Sequence, residues 1–315
     1  MYKNDQYERV NKLMQNSDVF YGDTGNGYFR NKQYPFILST RTNNIYAPII
    51  KEAIDYFRDN NISWWGGHRP PNHALSSQIA CINHLFPIRQ DKAAVLDIVK
   101  RIRPEITDVL VITTDDANKG YIQFEAVSKI DHLNEMEDSK PTRGSLCTSI
   151  DALILGKQSN GRIILIAIEW KYTESYGNEN KADGSKGETR KNRYTDLINE
   201  STQLSAKTHD LYYFEPFYQL MRQTLWAEQM IKNRDGEDIR ADDFLHIHVI
   251  PAENYSLLKK VYPCSNKEME ASWRDCLSDN SKYVIVSPSD FLLPIDRVKY
   301  KELIGYLGKR YWDEI

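Results

Sequence analysis

A run of six apolar residues near the middle of the chain, Ile163 to Ile168, constrains the fold more than any other feature. A strand that is apolar on both faces has to be covered on both, so this run predicts a buried position inside a sheet. The preceding segment, SIDALILG, is also rich in Ile and Leu, and an Asn-Gly pair at 160–161 between the two segments is a strong hairpin signal. We therefore predict two antiparallel strands within residues 149–172.

The segments around this hairpin predict an α/β protein. Four segments repeat apolar residues at helical spacing: 48–61, 76–86, 217–232 and 296–312. Three segments have the patterns of strands: 121–127, 243–251 and 283–287. We predict a central mixed β-sheet flanked by helices, with residues 1–70 as an N-terminal helical or irregular extension and residues 71–315 as the main domain.

The composition excludes disordered, collagen-like and coiled-coil proteins. With 41% hydrophobic and 27% charged residues among 315, the chain is of ordinary globular type. The formal net charge is −3, so a nucleic-acid partner would have to be met by a local basic surface. No apolar run approaches the ~20 residues that span a bilayer, and four scattered cysteines without a CxxC pair indicate reduced thiols. We expect a cytoplasmic protein with no membrane partner.

Charged residues follow the buried strand directly. Glu169 and Lys171 are two apart, so on a strand they share a face. Asp151 lies near the start of the preceding strand, at the same end of the hairpin. A loop of odd length or a bulge would put Asp151 across from Glu169, whereas a strict two-residue turn at 160–161 would put it across from Trp170.

Two neighbouring carboxylates at this position require an interaction that offsets their charge repulsion. Two of them about 4 Å apart repel by roughly 4 kcal/mol at an effective dielectric near 20. Such a pair shares a proton, contacts a cationic side chain or binds a metal ion. Oxygen ligands suit Mg²⁺ or Mn²⁺, and a neighbouring Lys can position an attacking water. The simpler alternative is a surface Glu–Lys pair at a strand end.

This arrangement resembles a known active site. Asp151 followed across a hairpin by Glu169-x-Lys171 resembles the signature of the PD-(D/E)XK nuclease superfamily, which has the restriction-endonuclease-like fold. Residue 150 is Ile where the signature has Pro, a position that the superfamily holds loosely. Three longer segments are similar to a small group of bacterial predicted restriction endonucleases: 143–177, 76–86 and 217–225. The resemblance covers roughly residues 76–250 and implies that 71–315 form a nuclease-like domain.

The resemblance implies roles for individual residues. Asp151 and Glu169 would bind a divalent metal, Mg²⁺ with Mn²⁺ as a substitute, and Lys171 would support the nucleophilic water. Glu125 on an upstream strand would be a third metal ligand, although a solvated strand residue explains it about as well. Gln78 and Gln219, on helices predicted to flank the sheet, would face the site as supporting residues, and ordinary helix polarity is the alternative.

Two other segments are candidates for nucleic-acid contact. Between 181 and 193 the chain has five basic and two acidic residues, and Lys186, Arg190, Lys191 and Arg193 are predicted to contact DNA phosphates. A solvated loop is the alternative there. The loop with Trp64, Trp65, His68 and Arg69 either stacks on bases or packs its indoles on the protein. His246 and His248 share a strand face without a third ligand, so we expect structural or solvated roles for them.

Three functional hypotheses follow. The first is a Mg²⁺-dependent DNA endonuclease of the restriction or phage-defence type. The second is a catalytically silent protein of the same fold that binds nucleic acid or a partner, against which the intact Asp, Glu and Lys argue. The third is an unrelated metal-dependent hydrolase of small phosphate esters, which a narrow closed pocket would favour. DNA is the expected partner, and a homodimer and a separate methyltransferase are compatible with the first hypothesis.

Overall fold

A computed structural model describes residues 1–115, 119–136, 140–144 and 147–312. Within these residues the α-helices are α1 Tyr2–Asn16, α2 Ile50–Asp59, α3 Ser77–Leu85, α4 Lys92–Ile102, α5 Ser185–Glu200, α6 Phe217–Lys232, α7 Tyr255–Leu258, α8 Met269–Arg274, α9 Pro288–Leu292 and α10 Lys301–Arg310. The strands are β1 Gly27–Phe29, β2 Lys32–Tyr34, β3 Ile106–Leu110, β4 Ile122–Ala126, β5 Ile150–Gln158, β6 Ile163–Trp170, β7 Asp243–Val249, β8 Val261–Tyr262, β9 Lys267–Glu268 and β10 Tyr283–Val286.

Six of these strands form one mixed sheet. Its order is β10-β7-β6-β5-β3, and β4 also pairs with β5. The pairs β10–β7 and β7–β6 are parallel, whereas β5 pairs antiparallel with β6, β3 and β4. β3 and β4 share one edge of β5, because β3 pairs with its C-terminal half and β4 with its N-terminal half. The predicted central mixed sheet is confirmed.

The hairpin β5–β6 has a loop of three residues. Its ladder runs from Ala152 opposite Ile168 to Lys157 opposite Ile163. The Gln158 amide then donates to the Arg162 carbonyl at 2.9 Å, which leaves 159–161 as the loop. Gly161 has φ +88°, a left-handed conformation that favours glycine and is typical of three-residue hairpin loops. The loop is therefore of the odd length that brings Asp151 level with Glu169.

Helices cover β6 on both faces, as its apolar run predicts. Ile164, Ile166 and Ile168 belong to a cluster with buried residues of α2, α3, α4 and α10. Leu165 and Ala167 belong to the opposite cluster, with buried residues of α5, α6 and α8. Because both clusters meet on this strand, the hairpin lies at the centre of the core. Burial there contributes about 25 cal/mol for each Å² of apolar surface removed from water.

Both ends of the described chain pack on the first face of the sheet. Val10 and Met14 of α1 join the cluster that contains α3 and α4. The Tyr172 hydroxyl donates to Gln6 Oε1 at 3.0 Å, which ties α1 to the end of β6. On α10, Arg310 Nη1 donates to the Asn44 carbonyl at 2.7 Å. The predicted boundary at residue 70 stays a prediction.

The structure contains elements that the sequence did not predict. The basic segment 181–193, for which a solvated loop was the alternative interpretation, runs into the sixteen-residue helix α5. Among its residues only Gly187, Tyr194 and Ile198 are buried, so its apolar stripe is too sparse to reveal a helix. The helix α4 and the strand β3, residues 92–110, were not predicted. The described helices include none with the length and apolar content of a membrane span, and all four cysteines are free.

Candidate active site

Three carboxylates lie at one level of the sheet on adjacent strands. The pairs Phe124–Ala152 and Ala126–Ile150 put Glu125 level with Asp151. The pair Ala152–Ile168 puts Asp151 level with Glu169 on β6. Ladder partners have side chains on the same face, which brings Asp151 and Glu169 together although they are 18 positions apart in the sequence. Glu125, 26 positions before Asp151, lies between two ladder pairs and lines the same cleft.

Glu169 is held by three donors. Lys171 Nζ donates to its Oε1 at 2.6 Å, and Gln219 Nε2 donates to the same oxygen at 2.7 Å. Gln223 Nε2 donates to the other oxygen, and Gln219 Oε1 accepts from Lys171. Gln219 and Gln223 lie one turn apart on α6, so one helix face supplies both amides. Sequence reasoning missed Gln223, which its i+4 spacing from Gln219 could have indicated.

Lys171 remains a cation although it is buried. Its side chain is 6% exposed and that of Glu169 is 3% exposed. Burial acts to lower the pKa of Lys171, but the charge of Glu169, with smaller contributions from Tyr176 and Glu174, raises that pKa well above its usual value. The site thus contains a fixed positive charge beside its carboxylates.

The other two carboxylates have different partners. Asp151 Oδ2 accepts from the Trp170 amide at 2.7 Å. Glu125 accepts from Gln78 Nε2 at 2.6 Å and from the Ser149 hydroxyl at 2.7 Å. Removal from water and the negative charges of Glu169 and Glu125 raise the pKa of Asp151 well above its usual range. Removal from water also raises the pKa of Glu125, so the cluster carries unfavourable negative charge.

Glu125 has an unusual backbone. Its φ is +50°, which is uncommon for a residue with a side chain and costs on the order of 1–3 kcal/mol. Arg143 holds it there, since its Nε donates to the Phe124 carbonyl at 3.1 Å and to the Glu125 carbonyl at 3.3 Å. Arg143 Nη1 in turn pairs with Asp115 at 2.8 Å. This conformation aims the Glu125 side chain towards Gln78 and Ser149.

One cleft of about 580 Å³ is lined by the three carboxylates and by Lys171. Its lining includes Gln78, Glu125, Asp151, Glu169, Lys171 and Gln219. Lys3, Trp65 and Ser175 are exposed where the cleft opens to solvent. The six residues predicted to be catalytic, metal-binding or supporting are therefore brought together.

The carboxylate oxygens in this cleft are ligands that suit a hard divalent cation. Across the described residues, no three His, Cys, Asp or Glu side chains already stand as a metal-holding group. The carboxylates instead accept hydrogen bonds from neighbouring groups. The raised pKa values of Asp151 and Glu125 indicate that the negative charge of these two groups is poorly compensated. Carboxylate oxygens are the ligands that Mg²⁺ and Mn²⁺ favour, and a bound cation would supply the missing charge.

The predicted phosphate-binding residues lie on α5. Lys186 and Lys191 are exposed, whereas Arg190 and Arg193 are half-buried. Arg190 Nη1 donates to the Lys181 carbonyl at 2.8 Å, and its guanidinium lies 5.8 Å from the Tyr218 ring centre. The described lining of the cleft contains none of the four. A role in DNA binding would thus place the DNA backbone along α5, outside the cleft.

The two indoles in the loop after α2 differ: one packs on the protein and the other is exposed. Trp64 is buried and stacks on Phe57 with ring centres 3.8 Å apart. Trp65 is 52% exposed, and its amide donates to Gln78 Oε1 at 2.8 Å. His246 and His248 are both buried, and burial lowers the pKa of His246 to about 3, as expected for structural residues.

A buried ion pair at the edge of the cleft was not predicted. Arg222, which lines the cleft, donates through Nε to Glu135 Oε1 at 2.8 Å. The same carboxylate accepts from the Tyr194 hydroxyl at 2.6 Å and from the Thr148 hydroxyl at 2.8 Å. Glu135 thereby joins α5, α6 and the segment before β5. Its partners lie 13 to 87 positions away in the sequence, so no local pattern indicates them.

A mixed sheet with an acid on one hairpin strand and Glu-x-Lys on the other defines a protein with a restriction-endonuclease-like core. The comparison with protein families agrees with this class. The chain belongs to the family described as restriction endonuclease associating with ARP, whose model matches residues 7–312. No curated protein and no solved structure matches the chain.

Proposed function

We propose that this chain is a Mg²⁺-dependent endonuclease that hydrolyses phosphodiester bonds of DNA in a restriction or phage-defence role. The observation that carries the proposal is the position of Glu125, Asp151 and Glu169 at one level of the sheet, with Lys171 beside them in one cleft. Membership of a family described as a restriction endonuclease supports it, because DNA is the substrate of that class.

In this proposal each side chain has a separate task. Asp151 and Glu169 would hold the cation, with Glu125 as a third oxygen donor. A bound Mg²⁺ supplies positive charge to the phosphoryl group and lowers the pKa of a coordinated water. Lys171 would orient the attacking water and balance the charge that develops on the phosphate. Gln219 and Gln223 keep the Glu169 carboxylate directed into the cleft.

Partners of the chain are also proposals. The description of the family names association with ARP, and we propose that this chain acts beside such a component. A homodimer, which would supply two active sites for the two strands, and a separate methyltransferase stay predictions.

The test is incubation of unmodified supercoiled plasmid with the purified chain. We expect nicked and linear products with Mg²⁺ or Mn²⁺, none with EDTA, and none from Glu169→Ala under any of these conditions. Cleavage that persists in EDTA would contradict the metal assignment. A wild-type chain that binds the plasmid without cutting it in any metal would favour the catalytically silent alternative.

The size of the cleft favours a second candidate, a hydrolase of small phosphate esters. A volume of about 580 Å³ is within the range of small-molecule sites, roughly 300–1,000 Å³. Hydrolysis of p-nitrophenyl phosphate separates the two candidates. An endonuclease should leave this monoester intact while it cuts plasmid, and the opposite result would support the second candidate.

A further inference from the structure

A cluster of six partly exposed rings begins where the cleft opens. We call it the aromatic platform, and it consists of Tyr7, Phe29, Tyr34, Phe36, Trp65 and His73. Phe29 stacks on Trp65 with ring centres 5.9 Å apart and contacts His73 edge-on at 5.6 Å. Trp65 and His73 also line the cleft, so the platform adjoins the candidate active site.

The platform is supported from two sides. Phe29 and Tyr34 belong to the hairpin β1–β2, whose turn residues Arg30 and Asn31 both have positive φ, as a tight two-residue turn requires. Trp65 is fixed through its backbone, because its amide donates to Gln78 and Gln78 donates to Glu125. The rings are therefore held at a set position relative to the carboxylates.

Positive charges surround the rings. Lys3 Nζ lies 5.8 Å from the ring centre of Tyr7, the Arg30 guanidinium 5.3 Å from that of Phe29, and Lys32 Nζ 5.5 Å from that of Tyr34. Residues 26–36 contain two basic and no acidic side chains. Flat rings with basic side chains beside them are typical of surfaces that bind single-stranded nucleic acid, where bases stack and cations meet phosphates.

The cleft gives such a surface a use. Its volume of about 580 Å³ has room for a group of nucleotide size. A strand that brings such a group to Asp151 and Glu169 leaves the duplex stack locally. Bases that leave the stack lose their stacking partners, and exposed rings at the opening can replace them.

We propose that the aromatic platform binds unstacked DNA bases next to the phosphate held in the cleft, with Trp65 as the main stacking ring. The proposal rests on the proposed function, since it takes DNA as the occupant. Trp65 is the main ring because it is the most exposed of the six, at 52%, and because it also lines the cleft.

The experiment measures DNA binding in EDTA, so that it does not depend on cleavage. Fluorescence anisotropy gives the affinity of wild type, Trp65→Leu and Trp65→Phe for a short labelled single strand and for the blunt duplex of the same sequence. We expect Trp65→Leu to weaken single-strand binding about tenfold or more, and duplex binding by much less. Trp65→Phe, which keeps a ring, should retain most of the affinity.

Tyr255→Leu is the matched control, because Tyr255 is 63% exposed on α7 and lies outside the described lining of the cleft. It should bind both DNA forms as wild type does. Melting temperatures of all variants should be close, since the Trp65 side chain is 52% exposed and its amide, which donates to Gln78, is retained.

Three results would overturn the platform alone: unchanged single-strand binding by Trp65→Leu, an equal loss on the duplex, or the same loss in Tyr255→Leu. A wild-type chain that binds neither DNA form would overturn the platform and the proposed function together. Duplex binding and cleavage that persist while the Trp65 variants behave as wild type would leave the proposed function standing.

Discussion

Asp151 lies across the β5–β6 hairpin from Glu169, one step beyond the pair of Ala152 and Ile168. The three-residue loop that follows Gln158 produces this register, and a two-residue turn would have placed Asp151 opposite Trp170. Because both acids then share a face of the sheet, Glu169 meets the amides of α6 and Asp151 remains open to the cleft.

Glu169→Ala and Lys171→Ala should both inactivate the proposed nuclease, for different reasons. Loss of Glu169 removes a metal ligand, so excess Mg²⁺ should not restore full cleavage. Loss of Lys171 should leave metal binding largely intact while the rate falls ~10²-fold or more, because the cation near the attacking water is gone. Plasmid nicking rates and metal titrations of both variants measure these effects, and DNA binding should survive in both.

The chain has a matched control for this pair. Glu179 and Lys181 repeat the acid-x-Lys spacing outside the described lining of the cleft, with their charged atoms 3.0 Å apart, Glu179 77% exposed and Lys181 22% exposed. A pair whose carboxylate is exposed in this way contributes at most ~1 kcal/mol of stability. Glu179→Ala and Lys181→Ala should cut at the wild-type rate, and a Lys171→Ala protein that does the same would contradict the assignment.

A divalent cation should bind between Asp151 and Glu169. Crystals soaked in Mn²⁺ should show anomalous density there, and Asp151→Asn should lose it, because an amide oxygen carries no negative charge. Calorimetric titration with Mn²⁺ gives the same comparison in solution. Density found only elsewhere in the crystal, with these two carboxylates unoccupied, would remove the metal from the mechanism.

Reversing the charges of Lys186, Arg190, Lys191 and Arg193 should weaken duplex binding and flatten its dependence on salt. Each lost phosphate contact lowers the slope of log affinity against log salt by about 0.9. Reversal of the exposed Lys100 and Arg101 on α4 is compared with reversal of Lys186 and Lys191 alone, because both changes alter the net charge equally. If the slope of the α5 variant equals that of wild type, α5 is only a solvated helix.

Glu135→Gln should destabilise the protein at neutral pH by about 2 kcal/mol, less than for a fully buried pair because the Arg222 side chain is 24% exposed. Burial acts to raise the pKa of Glu135, but Arg222 and the hydroxyl donors bring that pKa below its usual value. A lowered pKa in the folded state gives stability above the unfolded value of about 4.3, and this stability is lost as the pH falls through the folded value.

Urea unfolding of wild type and Glu135→Gln at pH 7 and in acid measures this effect. The difference in free energy of unfolding between the two proteins should shrink as the pH is lowered. A difference that stays constant or grows in acid would mean that the Glu135 carboxylate is not what stabilises the junction of α5 and α6.

Periodicity was sufficient to predict the hairpin, its burial on both faces and the helices that flank it. Strand spacing placed Asp151, Glu169 and Lys171 at one end of the hairpin, and the resemblance to a nuclease superfamily was needed to single them out as a site. Periodicity missed α5, where few side chains are buried, and Gln223, whose role depends on the rotation of α6 against the sheet. It could not predict the left-handed backbone of Glu125, which distant groups around Arg143 impose.

The packing of both chain ends on one face of the sheet has a consequence for how the protein folds. Gln6 meets Tyr172 across 166 positions, and Asn44 meets Arg310 across 266. Contacts of such long range require the closure of large loops before they stabilise anything, so we expect slow refolding. During synthesis, α1 is made long before the strand end that it contacts. Its hydrogen bond to Tyr172 can form only after β6 has emerged, so the last step that fixes α1 comes late in synthesis.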